Sequence, residues 1–111
     1  MSFTEKFAET RNNLRGLRKA IPDTFAGFVQ MEKAASADGA LSHKTKELIA
    51  LGIAVGLRCE DCIISHVGAC HRAGVTREEL SEALGTAIQM SGGPGLMYAS
   101  KALAAFDELA G

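Results

Sequence analysis

Apolar side chains recur every three or four residues along most of the chain, and no β-branched or aromatic run alternates with a period of two. That pattern predicts helices throughout. "FTEKFAETRNNLRGLRKA" sets Phe3, Phe7, Leu14, Leu17 and Ala20 along one face of a first helix. Pro22 interrupts it, and the fixed φ of proline suits the first turn of a second helix, "DTFAGFVQMEKAAS". Phe25, Phe28, Val29 and Met31 form its apolar side. "ADGALS" reads as a turn, since Asp38 and Gly39 tolerate the dihedrals a turn needs. Ser42 can then cap a third helix, "HKTKELIALGIAVGL". From Leu48 onward this helix is apolar nearly all round, which calls for burial on every side. A chain of 111 residues offers few such positions, so part of that surface is expected to lie against another subunit.

A fourth helix is expected from about Cys59 to Gly74, a C-terminal glycine preceded by His71 and Arg72. Thr76 and Glu79 have the spacing of a capping box, with Val75 and Leu80 as its hydrophobic staple. The fifth helix is "REELSEALGTAIQMS"; "GGPG" breaks the chain, and "LMYASKALAAFDEL" is a sixth. Six helices with short connections make an all-α chain the size of one domain, spanning residues 1–111.

Composition narrows the function. The chain holds 12 basic and 13 acidic residues, with no concentrated positive field of the sort nucleic acid requires. Arg11, Arg15, Arg18 and Lys19 recur at helical spacing and read as a solvated face. Apolar residues reach 47% while aromatics are only 5%, so Ala, Leu, Ile, Val and Met must fill the core. The N-terminal "MSFTEKFAET" lacks the plan of a signal peptide. The longest run of apolar residues and glycine, Leu48 to Leu57, is about half the ~20 residues that span a bilayer. A soluble cytoplasmic protein with no membrane partner is the expectation. Thiols there are normally reduced, so paired cysteines point to a catalytic or metal site.

The cysteines concentrate in "RCEDCIISHVGACH", residues 58 to 71. With Cys59 at the start of the fourth helix, Cys62 follows at i+3 on the same face. The two Cα atoms then lie ~5–6 Å apart, close enough for a disulfide. His66 stands four residues beyond Cys62, so the three side chains form one stripe. The nucleophile in thiol chemistry is the thiolate, a few per cent of a free thiol at neutral pH. A helix N-terminus and a neighbouring imidazole both favour it. Glu47, on the otherwise apolar third helix, is the candidate to orient His66. If the third and fourth helices form an antiparallel hairpin turning near Leu57, its carboxylate falls level with the imidazole. A relay Glu–His–Cys would result. A surface glutamate in the first turn of a helix fits the spacing equally well.

The pattern E-x11-C-x-x-C-x3-H, carried by Glu47, Cys59, Cys62 and His66, resembles the signature of the AhpD-like family. These are alkylhydroperoxidase D-type proteins of the carboxymuconolactone decarboxylase superfamily. The flanking "LSHKTKELIALGIAVGLRCEDCIISHVGACHRAGVTREELSEAL" is similar to that family's central segment, roughly Leu41 to Ala87. The resemblance implies an all-α AhpD-like fold, and reduction of a hydroperoxide or exchange with a dithiol or protein disulfide reductant. It assigns Cys62 as the sulfur oxidised to sulfenic acid, Cys59 as the resolving thiol that meets the reductant, and Glu47 with His66 as proton relay. No cofactor enters that scheme. A cysteine at a helix N-terminus is usually the more exposed and acidic of a pair, which on physical grounds favours Cys59 as attacker. Longer peroxidases of the family contain two related helical halves, whereas this chain holds one. Short members commonly assemble as trimers or hexamers.

Other readings compete. Cys59, Cys62, His66, Cys70 and His71 include zinc-like spacing, but residues 70 and 71 point about 100° apart, so the five cannot converge on one ion. Cys70 is expected to fill the core and His71 to cap the helix end. "GGPG" lacks the strand-then-helix context of a phosphate loop and reads as a hinge. Met90, Leu96, Met97 and Tyr98 read as core or subunit packing. A lactone decarboxylase of the same superfamily would not depend on the cysteine pair, nor would a non-catalytic helical binding module.

Overall fold

The computed structural model describes residues 1–111 as five helices and no strands: α1 (Phe3–Ala20), α2 (Pro22–Ser36), α3 (His43–Leu57), α4 (Glu60–Arg72) and α5 (Arg77–Ala110). The expected sixth helix is the second limb of α5. The chain bends there at Gly92, whose φ of 67° and ψ of −148° lie in a region open essentially to glycine alone. Helical turns resume through Pro94, so "GGPG" acts as a bend rather than a break. Gly95 is buried just past the bend, and a Cβ there would land on the Ser91 hydroxyl, which donates to the Ala87 carbonyl.

The helix starts follow the capping chemistry. Ser2 and Thr76 both complete capping boxes, with Glu5 and Glu79 respectively, and Ser42 accepts from the Thr45 amide. Pro22 occupies the first turn of α2. The helix ends on either side of α4 matter more for the site. After α3, the Arg58 amide donates to the Val55 carbonyl (3.1 Å) and the Cys59 amide to the Ala54 carbonyl (3.2 Å). After α4, Gly74 donates to His71 (3.1 Å) and Val75 to Cys70 (3.0 Å). Both sets are the paired bonds of a Schellman ending, which needs one residue in the left-handed region. Gly74 supplies it after α4 with φ 84°, and Arg58 supplies it after α3 with φ 57°. An arginine held there costs roughly 1 kcal/mol that a glycine would not. The tight ending turns the chain back at once, and α4 runs antiparallel along α3.

The core is the triangle of α3, α4 and α5. Leu51, Val55, Ile63, Val67 and Leu80 are fully buried within it, and Ala99, Ala102 and Ala105 let α5 approach closely. Each large aliphatic side chain so buried contributes about 1.5–3 kcal/mol. Cys70 is buried in the same cluster, as its apolar reading requires. Val75 and Leu80, the expected staple, are buried there too.

The outer helices depart from expectation. Neither α1 nor α2 contains a buried residue. Phe3 packs against the core, and the N-terminus of α1 is anchored where the Phe3 and Thr4 amides donate to the Glu108 carboxylate (3.1 and 3.0 Å). Leu14, Leu17, Phe28 and Met31 are exposed. On α3, Ile49, Ile53 and Leu57 face outward, so part of the surface expected to lie against another subunit is bare within one chain. Met90, Leu96 and Met97 are likewise exposed near the bend of α5, and of that group only Tyr98 packs against the core. The reason is geometric: α4 and α5 pack closely on α3, while α2 only touches it and leaves a groove between them.

Candidate active site

Cys59 caps α4 and Cys62 lies in its first turn; their sulfurs are joined as a disulfide, with Cα atoms 5.2 Å apart. The Cys62 amide donates to the Cys59 sulfur at 3.3 Å, so this sulfur takes the place a serine or aspartate side chain holds at other helix starts. Cys62 is exposed and Cys59 half-buried, the reverse of the exposure expected for a cysteine at the helix N-terminus.

Glu47 is 6% exposed, so it is not a surface glutamate. The α3–α4 hairpin carries it to the level of His66, whose Nδ1–H donates to Oε2 at 2.8 Å. That bond leaves Nε2 as the basic nitrogen of the neutral ring. The hairpin anticipated from spacing therefore forms, and a buried carboxylate orients an imidazole one turn beyond Cys62. A buried carboxylate without such a partner would be costly.

A second imidazole lies at the same carboxylate. His43, one helical turn before Glu47, has its Nδ1 3.9 Å from Oε1 and donates from this nitrogen to the Ser36 carbonyl at 2.7 Å. The i, i+4 spacing of His43 and Glu47 was the sequence signal for this contact. A polar cavity of about 270 Å³ opens onto the cluster, lined by Glu32, His43, Glu47, Ser65, His66 and Arg72. An apolar groove of about 390 Å³ between α2 and α3 reaches the same Glu47 and His66 past Phe28, Met31, Ile49 and Ile53. Neither is lined by a cysteine. Cys62 faces open surface, and the two cavities approach the imidazole from elsewhere.

The first turn of α4 is acidic, yet its charges are tied down. Glu60 accepts from Lys6 (2.7 Å) and Lys101 (3.3 Å), and the Lys6 bond above all holds its carboxyl below the usual range. Asp61 accepts from the Thr10 hydroxyl at 2.9 Å. Each such bond joins the cysteine turn to α1 or α5. Cys70, the remaining thiol, is pushed up to about 12, chiefly by burial and secondarily by the charge of Glu47. His71 is exposed and sets its ring edge-on to Phe106, 5.7 Å between centroids; it is the His71 carbonyl, not the imidazole, that joins the helix ending. No three side chains of His, Cys, Asp and Glu converge as ligands of one ion would.

Residues 22–105 match the model of the carboxymuconolactone decarboxylase family. An uncharacterized protein of Cupriavidus necator is 44% identical over 104 residues, covering 94% of this chain and 92% of its own. Another, encoded in the cox locus of Paracoccus denitrificans, is 42% identical over 76% of each chain. The fold superimposes on the apo crystal structure of a carboxymuconolactone decarboxylase family protein from Legionella pneumophila with a TM-score of 0.95. Identity there is 44%, over 98% of this chain and 97% of the other. A family protein from Thermotoga maritima, for which involvement in an antioxidative response has been suggested, gives a TM-score of 0.84 at 32% identity, over 95% and 90% of the two chains.

Proposed function

Because this chain belongs to the carboxymuconolactone decarboxylase family, we propose that it is an AhpD-like thiol oxidoreductase, reducing hydroperoxides or disulfides through Cys59 and Cys62. The observation that carries this reading is the Glu47–His66 hydrogen bond at 2.8 Å, on a helix whose N-terminus holds a closed cysteine pair. A lyase of the same fold has no use for the pair, and a binding module has no use for a buried, oriented carboxylate.

In the dithiol state His66 takes the Cys62 proton, and Glu47 stabilises the imidazolium that forms. The Cys62 thiolate attacks the outer oxygen of the hydroperoxide. The O–O bond breaks, Cys62 becomes sulfenic acid, and the alkoxide recovers the proton from His66 to leave as alcohol. Cys59, deprotonated in turn, attacks the Cys62 sulfur and expels hydroxide, which leaves as water once protonated. Two thiols have lost two electrons, and one peroxide has become alcohol and water.

For the return step the exposure of the two sulfurs favours a departure from the family-based expectation. A reduced dithiol partner attacks the exposed Cys62, and Cys59 leaves as a thiolate held by the Cys62 amide at the helix N-terminus. The suggested antioxidative role of the Thermotoga relative is of the same kind. Such a cycle suits a reducing cytoplasm, where a dithiol partner is at hand. The uncovered apolar surfaces of α2 and α3 fit assembly as a homo-oligomer, a trimer or hexamer.

The decisive variant is Glu47→Gln, which keeps size and hydrogen bonding but not charge. With the carboxylate gone, Cys62 should react with hydrogen peroxide about a hundredfold more slowly at neutral pH, the lower end of the usual range of general acid–base catalysis. Stopped-flow measurement of disulfide formation reads this directly. An unchanged rate removes the relay from the scheme.

A further inference from the structure

His43 is not needed by the pattern of Glu47, Cys59, Cys62 and His66, yet it shares their carboxylate. Oε2 of Glu47 accepts from His66, and Oε1 lies 3.9 Å from Nδ1 of His43. The imidazole is held by one bond and its backbone by the turn around it. Its Nδ1–H donates to the last carbonyl of α2, at Ser36, and its own amide donates to the Asp38 carboxylate at 2.7 Å. Ser42, the residue before it, caps α3. The turn is tied again where Lys46 donates to the Ala37 carbonyl at 2.7 Å.

We infer that His43 is a positioning residue of the redox site: it places a titratable charge beside the free oxygen of Glu47 and so sets how readily the Glu47–His66 pair takes the Cys62 proton. This rests on the relay reading above. The ring is half-exposed on the polar cavity, so it exchanges protons with solvent while Glu47 is closed off from it. Imidazole is the side chain whose charge changes near neutral pH. A cation at position 43 shares the Glu47 carboxylate with His66 and weakens its hold on the imidazolium. Thiolate formation then needs a higher pH. A neutral group there leaves Glu47 free to hold the imidazolium.

Other charges face the ring. Glu32 comes from α2, Asp38 from the turn, and His66 and Arg72 from α4; on its own helix stand Lys44, which pairs with Glu79 of α5, and Lys46. The measurement is therefore a profile across pH, not a single pH.

The test follows the loss of the Cys59 and Cys62 thiols to iodoacetamide, in the freshly reduced full chain, from about pH 5 to about pH 9. His43→Asn keeps an amide donor for Ser36 and has no charge; reactivity at the acid end should rise about threefold. His43→Arg carries a fixed cation, and the profile should move about half a unit to higher pH. Both effects should vanish in a Glu47→Gln background. Thermal melts of each variant report the fold, and should the Arg variant not fold, the Asn arm decides alone. Profiles that match the unsubstituted protein, beside an altered profile for Glu47→Gln, overturn the role of His43 and leave the relay standing. Shifts that persist with Gln at position 47 overturn it as well, since they do not pass through the carboxylate. A flat response to Glu47→Gln itself removes the relay, and this inference with it.

Discussion

Single residues carry the chemistry here through what surrounds them. Glu47 and Cys70 are both buried and titratable, and their neighbours separate them. Glu47 has an imidazole at 2.8 Å. Cys70 has only apolar contacts and a nearby negative charge, so burial pushes its thiol up to about 12. It therefore stays protonated at neutral pH. Brief alkylation of the reduced protein at neutral pH should label two cysteines per chain, with Cys70 labelled only after denaturation; peptide mass mapping checks this. The same burial has a consequence at high pH. The folded thiol titrates above its ordinary value of 9.0, so its contribution to stability is complete below about pH 9 and is lost as pH rises toward about 12. The thermal midpoint of the unsubstituted protein should thus fall more steeply across that window than that of Cys70→Ala.

At the scale of elements, the hairpin of α3 and α4 positions the site, and its turn is short because Arg58 accepts a left-handed conformation. Position 92 does the same for α5. The bend there lets the second limb lay Ala99, Ala102 and Ala105 into the core and bring Lys101 to Glu60 beside the cysteines. Gly92→Ala forces a Cβ into a conformation that L residues rarely adopt, at a cost of about 1–3 kcal/mol. Nothing lies within reach of the added methyl, so strain alone acts. Urea unfolding should show that loss with an unchanged m-value, while Ala at position 93, also open but under no such constraint, should be nearly neutral.

At the scale of the whole molecule, the chain leaves an apolar face bare. Phe28 and Met31 on α2 and Ile49 and Ile53 on α3 are 58%, 55%, 47% and 57% exposed, and they border the groove that ends at Glu47 and His66. Contiguous patches of this kind are uncommon on monomers. Sedimentation equilibrium should give a mass several times that of one chain. Ile53→Glu should bring it to the single-chain value while leaving the helical circular-dichroism spectrum intact, because Ile53 contributes little to the core of its own chain. A monomeric mass for the unsubstituted protein would count against assembly.

Helix existence, the caps at Ser42 and Thr76, the glycine ending at Gly74 and the i+3 approach of Cys59 and Cys62 were all legible in the chain, because each depends on residues within a few positions of one another. The bend at Gly92 was legible as punctuation, though the resumption of helix through Pro94 was not. Tertiary structure alone decided whether Glu47 was a solvated first-turn residue or a buried partner of His66, which sulfur of the pair is exposed, and that His43 reaches the same carboxylate while anchored to α2. These depend on how α2, α3 and α4 pack, and local spacing constrains packing only through the length of the turns between helices. Burial of α3 could not be read from its apolar surface either. A sequence records which side chains avoid water, and only the arrangement of neighbours determines which of them are covered within one chain.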